Sequence, residues 1–239
     1  MYQNKRFLAV IPARSGSKGI RDKNIKELNG KPLMGYTIDA CKKAGFFDDI
    51  LVSTDSKLYQ QMAVELGAAV PFLRPPHLSG DDAASGDVII HVLTEMKKQG
   101  NEYDYFMLLQ PTSPLRDEEH ILESVMLLFE KQADSVISVC SYNCMCYLAV
   151  AITETGEMQV PDSLKKQIRR QDMGSGCRIN GAIYLTSVPC YLKYGNFYSG
   201  KTYPYFMDPL HSIDIDDNYQ FYLAELLLRD GVKPMESFG

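Results

Sequence analysis

The chain has 239 residues, 45% hydrophobic and 23% charged, with a net charge of −5. This predicts one folded domain over residues 1–239 with an insertion at about 141–177, since a chain of this length buries a sizeable core. The acidic balance argues against nucleic acid as the main partner. No apolar run is long enough to cross a bilayer, so no membrane partner is expected.

The N-terminal stretch "MYQNKRFLAVIPARSG" has too short an apolar run for a signal peptide and no small-residue cleavage site. A cytoplasmic location is expected. The six cysteines read as reduced thiols. Cys41 and Cys190 fall in helical segments, and Cys140, Cys144, Cys146 and Cys177 in or beside an irregular stretch. The Cys144–Cys146 pair lacks the C-x-x-C spacing of zinc sites and has no histidine near it.

In chain order, residues 7–12 are a continuous apolar run, as in a strand covered on both faces. Pro32 suits the first turn of a helix. Helical spacing follows at Leu33, Tyr36, Thr37, Ala40, Cys41 and Ala44, and Gly45 ends it. Residues 49–55 predict a strand, 58–66 a helix, and 68–73 a third strand. Residues 74–85, "RPPHLSGDDAAS", are too rich in Pro, Gly and Asp to be regular. A helix over 88–98, a buried strand over 103–110, the turn "PTSPLR", a helix over 118–132 and a strand over 134–140 come next. Strands alternating with helices predict an α/β fold, Rossmann-like, with a mainly parallel sheet flanked by helices. The alternation stops over 141–177, a hairpin-like insertion with a bend at "TETGEM" and a basic cluster at "LKKQIRRQD". Residues 179–187 return to strand. Residues 211–217 predict a last short strand and 218–229 a last helix.

Open α/β sheets bind ligands beyond the carboxyl ends of their strands. The loop "ARSGSKGIRDKN", residues 13–24, sits there. It fits neither G-x-x-x-x-G-K-[ST] nor G-x-G-x-x-G. It does hold spaced cations: Arg14 offers a planar fork to phosphate, and Lys18 and Lys23 are mobile point charges. Gly16 and Gly19 let backbone approach an anion. One reading is a solvated basic loop. The other is a cradle for a small anion such as a triphosphate, which the loop's position favours. The 74–85 loop leaves a neighbouring strand end, so Arg74 and Ser85 can reach the same crevice and meet a flat base edge. It also reads as a surface connector. Gln110 is a polar group at the end of a central strand, which favours ligand contact. Asn180-Gly181 is a common turn dipeptide.

In "SIDIDD", residues 212–217, strand periodicity puts Asp214 and Asp216 on one face and Ile213 and Ile215 in the core. Paired carboxylates repel unless something positive lies between them. Hard oxygen ligands beside a triphosphate suggest Mg²⁺. The competing use is a helix N-cap by Asp216 or Asp217.

Taken together, "IPARSGSKGIRDKN", "LRPPHLSGDDAAS", "LLQPTSPLR", "RINGAIY" and "HSIDID" resemble, in order and spacing, the motifs of the acylneuraminate cytidylyltransferase family, the CMP-sialic acid synthetases. The resemblance spans residues 7 to about 229. The "SGSKG" loop resembles the sialic branch rather than the related Kdo cytidylyltransferases. It implies that Arg14, Lys18, Lys23 and Asn24 bind and polarise CTP, and that Arg74, Ala83 and Ser85 hold the cytosine. It also implies that Gln110, Asn180, Tyr184 and Arg170 meet the sugar acid, and that Asp214 and Asp216 hold Mg²⁺. A homodimer with shared sites is implied as well, through the insertion and the aromatics Phe197 and Tyr198. The family's His-Pro and lysine after the Cys140 strand are replaced by "SYNCMCYLAV", and its Leu-Pro before R-x-N-G by "DMGSGC". The sugar acid is therefore open between sialic, legionaminic and pseudaminic acid. Other readings are a transferase using another nucleotide and a non-catalytic nucleotide-sugar sensor. No appended esterase or phosphatase domain is expected.

Overall fold

Strand β1 (Phe7–Pro12) is the first strand of the main sheet. Its alternation divides cleanly between two cores. Phe7, Ala9 and Ile11 enter one apolar cluster, while Leu8 and Val10 enter another on the opposite face. A strand read as apolar throughout is thus covered on both sides. The computed structural model describes residues 1–17, 19–80, 83–142, 151–152, 154, 158–159 and 176–231. The short antiparallel pair β2 (Glu27–Leu28) and β3 (Lys31–Pro32) leads into helix α1 (Leu33–Ala44), which ends on Gly45 in the left-handed region at φ 71°. Then come β4 (Asp49–Ser53), α2 (Lys57–Glu65), α3 (Ser85–Lys98), β5 (Tyr105–Leu108) and α4 (Glu118–Glu130). After these follow β6 (Ser135–Tyr142), the two-residue strands β7 (Ala151–Ile152) and β8 (Met158–Gln159), and β9 (Gly176–Ser187). Helix α5 (Val188–Tyr194), β10 (Thr202–Met207) and α6 (Asn218–Asp230) complete the chain.

The main sheet has the order β10-β6-β9-β5-β1-β4. Three of its pairings are parallel, and β9 runs antiparallel to both neighbours. The mainly parallel α/β architecture read from the sequence is therefore present. One core packs α1 and α4 against the sheet, and the other packs α3 and α5 against the opposite face.

Two strand expectations need correction, and one strand was not anticipated. Residues 68–73 are not a strand. Ala69 makes one bridge, to Leu51, and the Gln60 side chain then takes the Val70 carbonyl as Pro71, which has no N–H, carries the chain away. Residues 211–217 are not a strand: 211–212 belong to a turn and 213–217 join no ladder, the Ile215 N–H donating to the Thr112 carbonyl at 2.8 Å. The strand that does occur nearby, β10, escaped the sequence reading because Pro204 interrupts it; it lies at the sheet edge, where proline is tolerated. In the insertion, β7 and β8 form an antiparallel pair.

Candidate active site

The "RINGAIY" motif is a bulge within β9 and not a turn. Ile137 of β6 faces Tyr184, while Val139 faces Ile179, so β9 carries extra residues around Ser138. The bulge needs Gly181, whose φ is +80°. A Cβ there would also lie 2.9 Å from Gln110 Oε1 and 3.3 Å from Asp214 Oδ2. Bulges of this kind re-aim chain beside functional sites, and here the bulge lets Gln110 and Asp214 close over bare backbone.

The residues around this point enclose a cleft of about 500 Å³ at the carboxyl ends of β1 and β5. Arg14, Lys23, Asn24, Arg74, Ala83, Ser85, Gln110, Asp214 and Asp216 all line it. The structure thus brings together nine of the residues singled out in the sequence. Lys18 and Arg170 lie outside the described residues.

The first loop is pinned from below. Ser15 donates to Asp55 through both its amide, at 2.9 Å, and its hydroxyl, at 2.8 Å. Asn24 is 5% exposed and donates to the Arg14 carbonyl, so it fixes the loop as well as lining the cleft. Gly19 has no special φ; its role is close approach. A Cβ there would fall 2.3 Å from the Asp216 carbonyl oxygen. Ile20 joins Leu28, Leu33, Ile215, Phe221 and Ala224 in a small apolar cluster that holds the loop against the 211–217 segment. Lys23 crosses this junction, donating to the Ile215 carbonyl at 2.6 Å and reaching Asp216 at 3.5 Å.

On the opposite wall, Arg74 is nearly buried and donates to the Ser53 hydroxyl and carbonyl. Burial lowers its pKa to about 10 despite the pull of Asp55, and Arg14 adds to the lowering. The guanidinium remains charged at neutral pH. Ser85 opens α3, so the positive end of that helix dipole adjoins the cleft.

Asp214 is half-buried and Asp216 exposed, while Ile215 between them is fully buried. The alternation read from the sequence survives without a strand to enforce it. Asp217 caps α6, accepting from the Tyr219 and Gln220 amides, and the Gln220 side chain accepts from the Asp217 amide in return. The cap is therefore Asp217, which leaves the other two carboxylates to the cleft. Burial pushes the Asp214 pKa up, a Thr112 hydrogen bond opposes that, and Asp216 raises it further. Asp214 Oδ1 is buried without a hydrogen-bond partner.

Four expected substrate contacts, Asn180, Tyr184, Phe197 and Tyr198, do not line the cleft. Asn180 is 1% exposed and absent from the cleft lining. Its amide is spent on Ser138, Ala182, Ser212 and the Met207 sulfur, which makes it the pin of the bulge. Phe197 is not an uncovered aromatic awaiting an interface. Its own chain buries it against Phe106, Tyr184 and Tyr191. Tyr184 is half-buried beside it, its pKa pushed to about 12 by burial and by the nearby Tyr198 and Asp214. Tyr198 is exposed.

Arg116 was not singled out from the sequence. It is 1% exposed and donates to the Gln110 and Ala182 carbonyls and the Thr37 hydroxyl, tying β5, β9 and α1 together beneath Gln110. Its signal was faint: an arginine closing a turn just past a buried strand. Asp55 and Thr112 were missed likewise.

The cleft gathers three cations, Arg14, Lys23 and Arg74, with two carboxylates, Asp214 and Asp216. A family model described as Cytidylyltransferase matches residues 8–238. This chain belongs to the cytidylyltransferase family. It is 38% identical over 234 residues to an N-acylneuraminate cytidylyltransferase of Streptococcus agalactiae, covering 96% of this chain and 55% of that protein. It is also 34% identical to a CMP-N,N'-diacetyllegionaminic acid synthase of Legionella pneumophila, covering 93% of this chain and 96% of that one. The chain thus spans about half the length of the curated N-acylneuraminate relatives it matches in bacteria. Among solved structures, a CMP:2-keto-3-deoxy-manno-octonic acid synthetase complexed with CTP superposes with a TM-score of 0.70 at 14% identity, over 94% of this cytidylyltransferase and 99% of that chain. That likeness concerns the fold.

Proposed function

We propose that this cytidylyltransferase couples CTP to a nine-carbon 2-keto sugar acid of the sialic type, giving the CMP-sugar and pyrophosphate. The observation that carries the reading is one cleft of about 500 Å³ that gathers Arg14, Lys23 and Arg74 with Asp214 and Asp216. Its relatives' names span N-acylneuraminate, diacetyllegionaminic and pseudaminic acid, and these set the acids to be tried.

Arg14, Lys18 and Lys23 hold the triphosphate and offset the charge that builds on the departing pyrophosphate. Arg74, with Ala83 and Ser85, holds the cytosine. Gln110 orients the sugar acid so that its anomeric hydroxyl lies in line with the α-phosphorus, and such positioning supplies much of the acceleration. Arg170 meets the acid's carboxylate. Asp214 and Asp216 fit a hard divalent cation, because Asp214 Oδ1 is a buried acceptor with no protein donor. Mg²⁺ bound there supplies charge neutralisation at the phosphoryl oxygens. Before ligand arrives, Lys23 answers part of the Asp216 charge. The protein works in the cytoplasm, as a homodimer.

The test is pyrophosphate release with CTP and a panel of N-acetylneuraminic, legionaminic, pseudaminic and Kdo acids, with ATP, GTP and UTP as competitors. Release with CTP and at least one nine-carbon acid is expected. CTP binding with no release on any acid would replace the enzyme with a nucleotide-sugar sensor. Release driven better by another nucleotide would reassign the base pocket.

A further inference from the structure

Away from the cleft, the N-terminus of α4 meets the turn after β10. Asp117, His120 and His211 each present one ligand atom there, all within 4.8 Å of one another. None of the three lines the cleft. The two imidazole rings stand 4.8 Å apart between centroids. His211 is held at Nδ1 by Asp208, while His120 Nδ1 accepts from the Asp117 backbone N–H and lies 2.5 Å from the Asp117 carboxylate. No hydrogen bond of either ring uses Nε2 among the described residues. For His211, a carboxylate on one ring nitrogen with the other left free is how proteins orient histidines toward a metal. The groups are reachable from solvent, with side-chain exposures of 13% for His120, 40% for Asp117 and 23% for His211.

We propose that Asp117, His120 and His211 form a second divalent-cation site, of imidazole–carboxylate type, that takes a zinc-class transition-metal ion and ties the 208–212 turn to the start of α4. Two imidazoles and a carboxylate suit Zn²⁺ or Co²⁺, whereas the all-oxygen Asp214/Asp216 pair suits Mg²⁺. Metal–ligand bonds of about 2.0–2.2 Å require the 2.5 Å contact between Asp117 and His120 to open and His211 to adjust its approach. The 208–212 turn can supply that movement, since His211 is carried on it. The position matters because this turn runs directly into Asp214, and its Ser212 hydroxyl is a partner of Asn180 in the β9 bulge. The site is independent of the nucleotide reading and stands whether or not that reading holds.

The test uses the chelator-treated full chain with Zn²⁺ and Co²⁺ alone, in millimolar Mg²⁺ to fill the oxygen site. One equivalent of Zn²⁺ is expected to bind in the micromolar range and to raise the melting temperature, as any native-state ligand does. Co²⁺ should give a visible absorption band of imidazole-ligated type. His120→Gln keeps a capping side chain at the third position of α4. It and His211→Gln should each weaken Zn²⁺ binding at least about tenfold, while Asp216→Asn leaves it unchanged. The proposal is overturned by Zn²⁺ affinity no tighter than millimolar, by wild-type affinity in both histidine variants, or by loss in Asp216→Asn alone. The Co²⁺ spectrum decides without any variant: an oxygen-only spectrum on wild-type protein also overturns it.

Discussion

At the scale of single residues, Asp214 is held in a state that suits a ligand and not the fold. Burial raises its pKa above the ordinary carboxylate value. A carboxyl whose folded pKa is raised favours folding only while protonated. Its benefit is present below the ordinary carboxylate pKa and is lost as pH rises through the raised value. At neutral pH and without metal, the ionised Asp214 therefore works against stability. Asp214→Asn should melt higher than wild type at pH 7 in chelator, and this gain should shrink as pH falls through the ordinary carboxylate range. The same variant should lose nearly all turnover with Mg²⁺. Parallel melting curves across pH and a pyrophosphate assay check both halves. A variant that melts lower at pH 7 would mean that the side chain serves the fold. This residue was legible because alternation around Ile213 and Ile215 needs only the sequence. Asn180 and Arg116 were not, because what a buried amide or guanidinium touches depends on strands far away in the chain. Nothing local announces that Arg116 will meet Ala182 or that Asn180 will meet Ser212.

Secondary-structure elements were legible wherever periodicity and punctuation agreed. The span of α1 and its Gly45 stop, the double-sided burial of β1, and the Asp-capped α4 and α6 follow from local rules. Partnership between strands did not. That β9 would run against both neighbours, and that residues 213–217 would join no ladder, are decided by where β5 ends and by the single bond from Ile215 to Thr112. The capping question between Asp216 and Asp217 belongs to this scale and has a measurable consequence. Asp217→Ala should cost about 1 kcal/mol of stability, the usual loss for an N-cap, and leave turnover within a few-fold of wild type. Asp216→Ala should do the reverse, with little change in stability and a marked loss of turnover at limiting Mg²⁺. Urea unfolding beside Mg²⁺-dependent kinetics separates the two. Equal kinetic damage from both would mean that the cap itself sets the position of Asp214.

At the scale of the whole molecule, the insertion and the cleft are connected through one ribbon. Strands β6 and β9 continue past the bulge to Tyr142 and Gly176, and the first four residues of β9 are exposed, Ile179 among them. The exposed isoleucine on this paired ribbon, with the basic sequence "LKKQIRRQD" further along the chain, motivates a test of whether sites are shared between two subunits. Phe197 no longer argues for this, since its own chain buries it, whereas the exposed Tyr198 still does. Mixing two disabled chains tests the sharing of sites. Asp214→Asn disables the carboxylate pair of its own cleft. Arg170→Ala disables the insertion's contact with the sugar acid. If the insertion of one subunit completes the cleft of the other, a mixed dimer contains one doubly damaged site and one intact site. Equal mixing should then restore about a quarter of wild-type sites, because half the dimers of a two-fold assembly are mixed and each has one good cleft. Native mass measurement establishes first that dimers form and exchange subunits. Mixed dimers that form in the expected proportion yet recover no activity would show that each cleft is built from a single chain, with Arg170 acting in its own subunit.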